Sequence, residues 1–431
     1  MRLVRKGGAI LASRLVQAGL SAASGLLIAR ALGPEGQGLY ALTITVVLFV
    51  AALANGGLGL AAVPDLRGGR VPLGRMLLAQ MSWLGVAGLV LGVLGVIAWR
   101  SGFDVAAQVH LGWNARIAAY ALVGTLALLA FDILFYDLLA RGRLLTGPTV
   151  NLCRALLHLG LLVSLLAGDR LDLGGAVSVY AAAQGLAALA ALVVLARLAG
   201  RREPAVAESL PGLVIRILRA GWLGQLSAVA SLLHLRLDLA LVAAWHGAGA
   251  VGIYAVAVLV GELLWLLPGA LQPLLVYASS DEQADSPRDE IAARAVRLGV
   301  LTTAAAALVL SALAHPLLRL LFGEDFAAAA APLRALLPGI VVFSAGSVLA
   351  GDFIGRGRPV WNAQASGVTV AVNILAGVAL IPRWAETGAA WASTIAYTAG
   401  TLVMIARFRR ATALGWSALL KPRLSDFSLR R

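Results

Sequence analysis

The sequence predicts an all-α polytopic membrane protein with about 12 transmembrane helices, in two parallel six-helix repeats around a central cavity. Three observations predict this fold class. The 431 residues are 60% hydrophobic and 13% charged, with a mean hydropathy of +0.88, whereas about 25% of the residues in a soluble protein are charged. Apolar runs of about 20 residues recur along the whole chain. Finally, the two halves of the chain match one another in sequence.

The apolar runs are long enough to cross a membrane as helices. In lipid the backbone N–H and C=O groups have no water to bind, so a spanning segment must satisfy its hydrogen bonds internally. A β-barrel would need alternating strands of about ten residues, and these runs do not alternate. The predicted spans lie near 9–31, 39–62, 76–98, 114–138, 146–168, 174–197, 218–244, 251–276, 293–314, 331–354, 361–382 and 387–407.

The distribution of basic residues predicts that both chain termini lie in the cytoplasm. In this orientation the cytoplasmic segments hold 25 Lys and Arg residues, the external loops hold seven, and three arginines lie inside spans. Cytoplasmic loops carry an excess of Lys and Arg, so the inverted orientation would violate this rule. The net charge of +14 therefore indicates topology, and no nucleic-acid partner is expected.

A displacement of about half the chain length aligns the two halves. Residues 38–41 (Gly-Leu-Tyr-Ala) fall on 252–255 (Gly-Ile-Tyr-Ala), and Gly33 falls on Gly247. An even number of spans in each half makes the repeat parallel. The predicted divisions are an N-terminal six-helix lobe at 1–199, a cytoplasmic linker at 200–217, a C-terminal six-helix lobe at 218–407 and a basic cytoplasmic tail at 408–431.

Five short stretches of the sequence follow one another in an order that is more specific than any one of them alone. They are residues 29–40, 236–238, 251–257 with Pro268 and Pro273, 315–326, and 380–393. Together they resemble the bacterial polysaccharide (O-antigen type) flippases of the multidrug/oligosaccharidyl-lipid/polysaccharide exporter superfamily. The resemblance implies two six-helix lobes around a cavity. It also implies transfer of undecaprenyl-diphosphate-linked oligosaccharide from the inner to the outer leaflet of the bacterial cytoplasmic (inner) membrane, with no enzymatic activity and no cofactor.

Three arginines inside predicted spans are candidates for binding the diphosphate of such a substrate: Arg236, Arg154 and Arg14. A charge in hydrocarbon is costly and marks a functional site by default. Arginine stays protonated and can bind phosphate through two parallel hydrogen bonds. The alternatives are that Arg14 reaches to the inner membrane surface, that Arg154 pairs with Asp132, and that Arg236 pairs with Glu262.

Two carboxylates, Asp238 and Glu262, are candidates for coupling transport to H⁺ or Na⁺. A carboxylate in a low-dielectric site can alternate between a protonated and a paired state. The alternative is a static bridge to Arg236 or a hydrogen bond to His234. No spacing of His, Cys, Asp or Glu predicts a metal site, and the single Cys153 excludes a thiolate-rich one.

Two acid–base pairs with i,i+4 spacing recur at the inner ends of the fourth and tenth predicted spans. They are Asp137 with Arg141 and Asp352 with Arg356, and this spacing places both side chains on one helix face. One interpretation is stabilisation of the helix end. The other is an inner gate whose ion pairs form and break during transport.

Two other functions remain open. One is a multidrug or other small-molecule exporter of the same superfamily, working as a cation-coupled antiporter. The other is a membrane enzyme that polymerises or ligates polysaccharide, which would need a substantial external loop, whereas the longest predicted external loop covers only residues 99–113. The partners expected for a flippase are the lipid-linked oligosaccharide, membrane lipids and polysaccharide assembly proteins.

Overall fold

The computed structural model describes residues 2–100, 113–141, 146–199, 208–280, 288–412, 414–415 and 419. Within these residues the chain forms eleven α-helices, two short 3₁₀-helices at Leu263–Trp265 and Glu324–Ala329, and no β-strand. The α-helices are α1 (Arg2–Asn55), α2 (Leu58–Arg67), α3 (Leu73–Arg100), α4 (Ala115–Ala140), α5 (Thr146–Ala167), α6 (Leu173–Leu198), α7 (Leu210–Glu262), α8 (Leu266–Ser280), α9 (Arg288–Phe322), α10 (Ala330–Gly355) and α11 (Val360–Ala411).

The described residues contain ten helical segments that are long and apolar enough to cross a membrane. Three of the longest helices each contain one residue with non-helical backbone angles: Gly33 in α1, Gly247 in α7 and Ala385 in α11. Each break falls between two predicted spans. Divided at these breaks, the helices account for the predicted spans, except that a glycine turn at residues 56–57 interrupts the span predicted at 39–62 and a 3₁₀-helix interrupts the one at 251–276. The predicted all-α polytopic fold is confirmed.

The backbone also shows the internal repeat. Gly33 (φ 66°, ψ −177°) and Gly247 (φ 78°, ψ −178°) share a conformation that glycine adopts without steric cost. Helices α4 and α10 are both 26 residues long and begin at Ala115 and Ala330, a displacement that matches the offset of the sequence repeat. The predicted two-fold repeat of sequence is therefore a repeat of structure.

The chain divides into two compact units, Met1–Leu232 and Leu233–Arg431. Helix α7 contributes its first part to the first unit and its remainder to the second. It begins at Leu210, inside the stretch predicted as a linker, and residues 200–207 lie outside the described residues. The proposed bounds of the lobes, linker and tail stay predictions.

The first unit has a core in which α2, α3, α4, α6 and the start of α7 pack together. Fully or almost fully buried side chains from these helices include Leu58, Met76, Leu134, Leu195 and Ile217. Helices in lipid associate through close van der Waals packing rather than through a hydrophobic driving force. The start of α7 is thus fixed to the first unit by shape complementarity.

A glycine turn joins α1 to α2 and brings the chain close to α7. Gly56 and Gly57 have φ values of 57° and 81°, in the left-handed region that favours glycine. A Cβ atom on Gly57 would lie 2.4 Å from the carbonyl oxygen of Gly221, and one on Gly221 would lie 2.6 Å from the carbonyl oxygen of Gly57. The glycine-rich run therefore provides both a turn and a close backbone approach.

The second unit has its own core, built by α8, α9, α10 and α11. Buried residues from these four helices include Leu275, Val296, Leu349, Phe353 and Phe408. These apolar contacts surround the C-terminal end of α10, where Asp352 and Arg356 lie.

We expect Gly221→Ala to destabilise the protein, whereas Gly224→Ala, one turn later on the same helix, should leave it as stable or slightly more stable, because alanine favours a helix over glycine. The added methyl at position 221 meets backbone atoms of Gly57, whereas at Gly224 no atom lies within 4 Å of an added Cβ. Overpacking of this kind costs about 1–3 kcal/mol. Thermal unfolding of both variants in detergent tests this. Equal melting temperatures for the two variants would show that the two backbones are not in contact.

Candidate functional site

Asp238 lies at the centre of a buried polar cluster in the second unit. Its Oδ2 atom accepts hydrogen bonds from the Tyr254 hydroxyl and, at 3.1 Å, from Ser393 Oγ, and its Oδ1 atom accepts one from the Leu239 amide at 2.9 Å. Asn373 Nδ2 contacts Ser393 Oγ at 3.3 Å. The side chains of Asp238, Tyr254, Ser393 and Asn373 are all buried. Residues on both sides of the break in α7 and on both sides of the break in α11 thus form one connected polar cluster.

The cluster is rich in oxygen atoms. Asn373 Oδ1 is buried and has no hydrogen-bond partner within the described residues. An unpartnered buried acceptor is unusual and calls for an explanation such as a bound ion or water. A carboxylate, two hydroxyls and an amide oxygen are ligands that a proton or a hard monovalent cation can use. Across the described part of the chain, no group of three or more His, Cys, Asp or Glu side chains is placed to hold a metal ion.

Arg236 and Glu262, both in α7, form an ion pair. Arg236 comes two residues before Asp238 in the sequence. Arg236 Nη1 lies 3.5 Å from Glu262 Oε1, and the two side chains are 28% and 24% exposed. The guanidinium carries five N–H donors, and within the described residues this long contact is the hydrogen bond it makes. The pairing that the sequence left open is therefore present, and it leaves most of the donors of Arg236 available.

A tighter ion-pair network lies at the C-terminal end of α10 in the second unit. Arg356 donates to Asp352 Oδ2 at 2.7 Å and to Asp289 Oδ1 at 2.8 Å. Asp352 Oδ1 also accepts a hydrogen bond from Ser279 Oγ at 2.5 Å, and the Arg356 guanidinium lies 5.4 Å from the Phe408 ring centre. The end of α10 is therefore bonded to the end of α8 and the start of α9.

The corresponding residues of the first unit are arranged differently. Asp137 is fully buried and accepts a hydrogen bond from Gln80 Nε2 at 3.2 Å, while its Oδ2 atom has no partner within the described residues. The Arg141 side chain is exposed, and no ion pair joins it to Asp137 in the described part of the chain. The two motifs share an Asp and an Arg at i,i+4 spacing, but only Asp352 and Arg356 form an ion pair in the described structure.

Arg154 does not form the ion pair with Asp132 that the sequence left open. Its Nε atom donates to Asn151 Oδ1 at 2.9 Å, and its guanidinium lies 5.6 Å from the centre of the Phe131 ring. Asn151 in turn donates to Gln17 Oε1 at 2.9 Å, which connects α5 to α1. Arg14 lies in α1, and its side chain is outside the described part of the structure.

A cavity of about 430 Å³ in the first unit was not predicted from the sequence. Its polar wall is formed by Asn55, Asp132, Tyr136 and Gln225. The remaining lining residues are small or apolar: Ala52, Gly57, Leu60, Ala61, Phe135, Ala220, Gly221, Gly224 and Ala228. The sequence does not distinguish Asn55 and Gln225 from the other polar residues of the predicted spans. Only the tertiary structure shows that both line the same cavity.

A second charged network, at the start of α7, was also not predicted from the sequence. Arg216 donates to Asp65 Oδ2 at 2.7 Å and to Glu208 at 3.1 Å, and Arg75 donates to the backbone carbonyl of Glu208. Arg70 lies 3.6 Å from Asp65. The sequence showed these residues only as part of a basic loop and a linker, because the fold is needed to bring residues 65 and 216 together.

Two family models match large parts of the chain. The model of the polysaccharide biosynthesis protein family matches residues 3–278, and that of the lipid II flippase MurJ family matches residues 164–429. None of the curated proteins matches the chain in sequence. Both matching families are described as polysaccharide biosynthesis or flippase proteins rather than by an enzymatic reaction.

Solved structures of transporters share the fold. Lipid II flippase MurJ in an inward closed conformation has a TM-score of 0.77 and 12% identity, over 93% of this chain and 87% of that one. An inward-facing multidrug resistance MATE transporter of the MOP superfamily has a TM-score of 0.68 and 16% identity, over 92% and 94%. The Vibrio cholerae MATE transporter VcmN has a TM-score of 0.61 and 14% identity, over 97% and 98%.

At such low identities the similarity to these structures shows the fold alone. The family models carry the assignment. Because each model covers more than half of the chain, the protein belongs to the polysaccharide biosynthesis protein and lipid II flippase MurJ families of multi-pass membrane transporters.

Proposed function

We propose that the protein is a flippase for undecaprenyl-diphosphate-linked oligosaccharide. It moves this lipid from the inner to the outer leaflet of the bacterial cytoplasmic membrane by alternating access, during the biosynthesis of a surface polysaccharide such as the O-antigen of lipopolysaccharide. The observation that carries the proposal is Arg236, a cation in a spanning helix that keeps free N–H donors in a chain of a flippase family.

The chemistry of the substrate explains why such a cation is needed. A diphosphate cannot cross hydrocarbon unaided, because an isolated charge there is strongly disfavoured. Arginine remains charged and offers a planar set of donors that matches phosphate oxygens. In this proposal Arg236 binds the diphosphate, and Glu262 holds the guanidinium in position between transport cycles. Arg154 and Arg14 provide further positive charge for the same group.

The same mechanism assigns a role to Asp238. It couples transport to H⁺ or Na⁺, because its carboxylate sits among the oxygen atoms of Tyr254, Ser393 and Asn373. A bound cation or proton neutralises the carboxylate, and its release restores a charge that needs the surrounding donors. Glu262 is the second coupling candidate. It is more exposed and is already paired with Arg236.

The inner ion pairs act as a gate in this mechanism. Asp352 and Arg356 hold the ends of α8, α9 and α10 together. Asp137 and Arg141 occupy the equivalent positions and are not joined in this structure. We propose that the two pairs form in different states of the transport cycle.

A multidrug or other small-molecule exporter coupled to a cation is the second candidate function. The shared fold with MATE transporters favours it. A transport assay with the two substrate classes separates them. Uptake of lipid-linked oligosaccharide without drug transport supports the flippase, and the reverse result supports the exporter.

Depletion of the protein in its host is the direct test of the flippase. Lipid-linked oligosaccharide should then accumulate in the inner leaflet, and surface polysaccharide should decrease. If glycan export and leaflet distribution are both unchanged, the proposed function is wrong.

We expect Arg236→Gln to reduce lipid-linked oligosaccharide flipping at least about tenfold, since it removes a charged hydrogen bond to phosphate. Glu262→Gln should reduce flipping by a much smaller factor, and the double variant should resemble Arg236→Gln. Leaflet exchange in proteoliposomes gives all three values, with Arg383→Ala as the control because Arg383 is an exposed cation of the same unit. Equal losses for the two single variants would indicate that Arg236 only pairs with Glu262.

We expect Asp238→Asn to abolish the dependence of flipping on an ion gradient. The amide keeps the size of the carboxylate but cannot exchange a proton or neutralise a cation. Flipping should be measured with a Na⁺ gradient and with a pH gradient applied separately, so that the responding gradient identifies the ion. Tyr254→Phe, which removes one donor to Asp238, should weaken the dependence without removing it. A gradient response that survives in Asp238→Asn would exclude this carboxylate from coupling.

A further inference from the structure

The cavity of the first unit contains a carboxylate that the proposed mechanism does not use. Asp132 lines this cavity, and its side chain makes no hydrogen bond and no ion pair within the described residues. It lies eight residues before the end of α4, about 12 Å along the helix axis. The cation Arg154 is near enough to act on Asp132 electrostatically, but its Nε atom donates to Asn151 and it makes no direct contact with the carboxylate within the described residues. An unpartnered carboxylate at this depth is unfavourable unless a ligand or a proton neutralises it.

The other walls of the cavity show which ligand would fit. The rings of Phe135 and Tyr136 lie beside the carboxylate on the same helix, with their centres 6.2 Å apart. Aromatic faces attract cations, and a carboxylate beside them pairs with an ammonium group. Gln225 donates to the Ala52 carbonyl at 2.5 Å, so its amide oxygen remains available as an acceptor. The side chain of Asn55 makes no hydrogen bond within the described residues.

The cavity is much larger than one water molecule or one bare ion. Its volume of about 430 Å³ is within the range of about 300–1,000 Å³ for small-molecule sites. The lining also includes Gly224, where no atom lies within 4 Å of an added Cβ, so a ligand can approach the backbone at this position. The space therefore suits a compact molecule that carries hydroxyl groups as well as a positive charge.

We propose that this cavity binds a small hydroxylated primary amine of the amino-sugar type. Its ammonium group pairs with Asp132, its apolar face lies against Phe135 and Tyr136, and its hydroxyl groups bond to Asn55 and Gln225. This assignment rests on the proposed function only in one respect, which is that the amino sugar would be part of the transported oligosaccharide. Binding itself requires no transport.

The test is a binding experiment with the full-length protein in lipid nanodiscs. D-glucosamine and N-acetyl-D-glucosamine are the two probes, since they share a sugar ring and differ in the charge on nitrogen. The buffer must contain no Tris, which is itself a hydroxylated primary amine. Calorimetry should give an affinity for glucosamine at least about tenfold higher, because a charge-assisted hydrogen bond contributes about 1.5–3 kcal/mol and 1.4 kcal/mol is a factor of ten.

Three variants of the first unit make the test specific. Asp132→Asn should lower the affinity for glucosamine at least tenfold and leave that for N-acetylglucosamine unchanged. Asp169→Asn is the matched control, because Asp169 is exposed with φ 53°, a conformation that Asn adopts readily. Gly224→Leu should remove binding of both sugars, since it projects a side chain from a cavity-lining position where no atom lies within 4 Å of an added Cβ.

Several results would overturn the inference. Equal affinities for the two sugars, no binding of glucosamine, or unchanged binding in Asp132→Asn would each exclude an ammonium site. If Asp132→Asn does not fold, Gly224→Leu decides: retained glucosamine binding there would place the ligand elsewhere. Flipping of a lipid-linked oligosaccharide without amino sugars, measured separately, distinguishes failure of this site from failure of the proposed function.

Discussion

Hydrocarbon offers a polar group no hydrogen-bond partner, and this constraint determines both the helices of the chain and the few places where they break. Two of the breaks inside long helices, at Gly33 and Gly247, use a residue that accepts positive φ without steric cost. They also lie at the same position of the two repeats. A break in a helix leaves backbone N–H and C=O groups without their helical partners, so only a few backbone conformations are tolerated there. The same conformation occurs at both glycines.

The two repeats share a backbone but not a set of charges. At the offset that aligns Gly33 with Gly247, Tyr254 corresponds to Tyr40 and Asp238 corresponds to Ser24. Ser24 donates to the Leu20 carbonyl of its own helix, a local bond that needs no partner from another helix. Asp238 instead collects donors from α7 and α11. The polar cluster around Asp238 is therefore a feature of the second unit, on a backbone that both units share.

The sequence was sufficient for the fold and for part of the candidate site. Hydrophobic length predicted every span because the membrane thickness sets the length of a spanning helix. It also predicted that Arg236 and Glu262 lie at similar depth, because the two halves of α7 return through the same membrane. It did not predict that Ser393 donates to Asp238 or that Asn373 contacts Ser393, since Ser393 is 155 positions from Asp238 and their meeting depends on how α11 packs.

The cavity around Asp132 gives a second example, in which a contact predicted from the sequence is absent from the structure. The sequence suggested that Asp132 pairs with Arg154, because the two residues lie at similar depth on consecutive helices. In the structure Arg154 is held by Asn151 and by the ring of Phe131, which together provide a hydrogen bond and an aromatic face. Depth is a one-dimensional property and does not fix the direction of a side chain. Within the described part of the chain Asp132 therefore keeps its carboxylate without a direct hydrogen bond or ion pair, with Arg154 near enough to act on it only through charge, and a cavity of ligand size lies beside it.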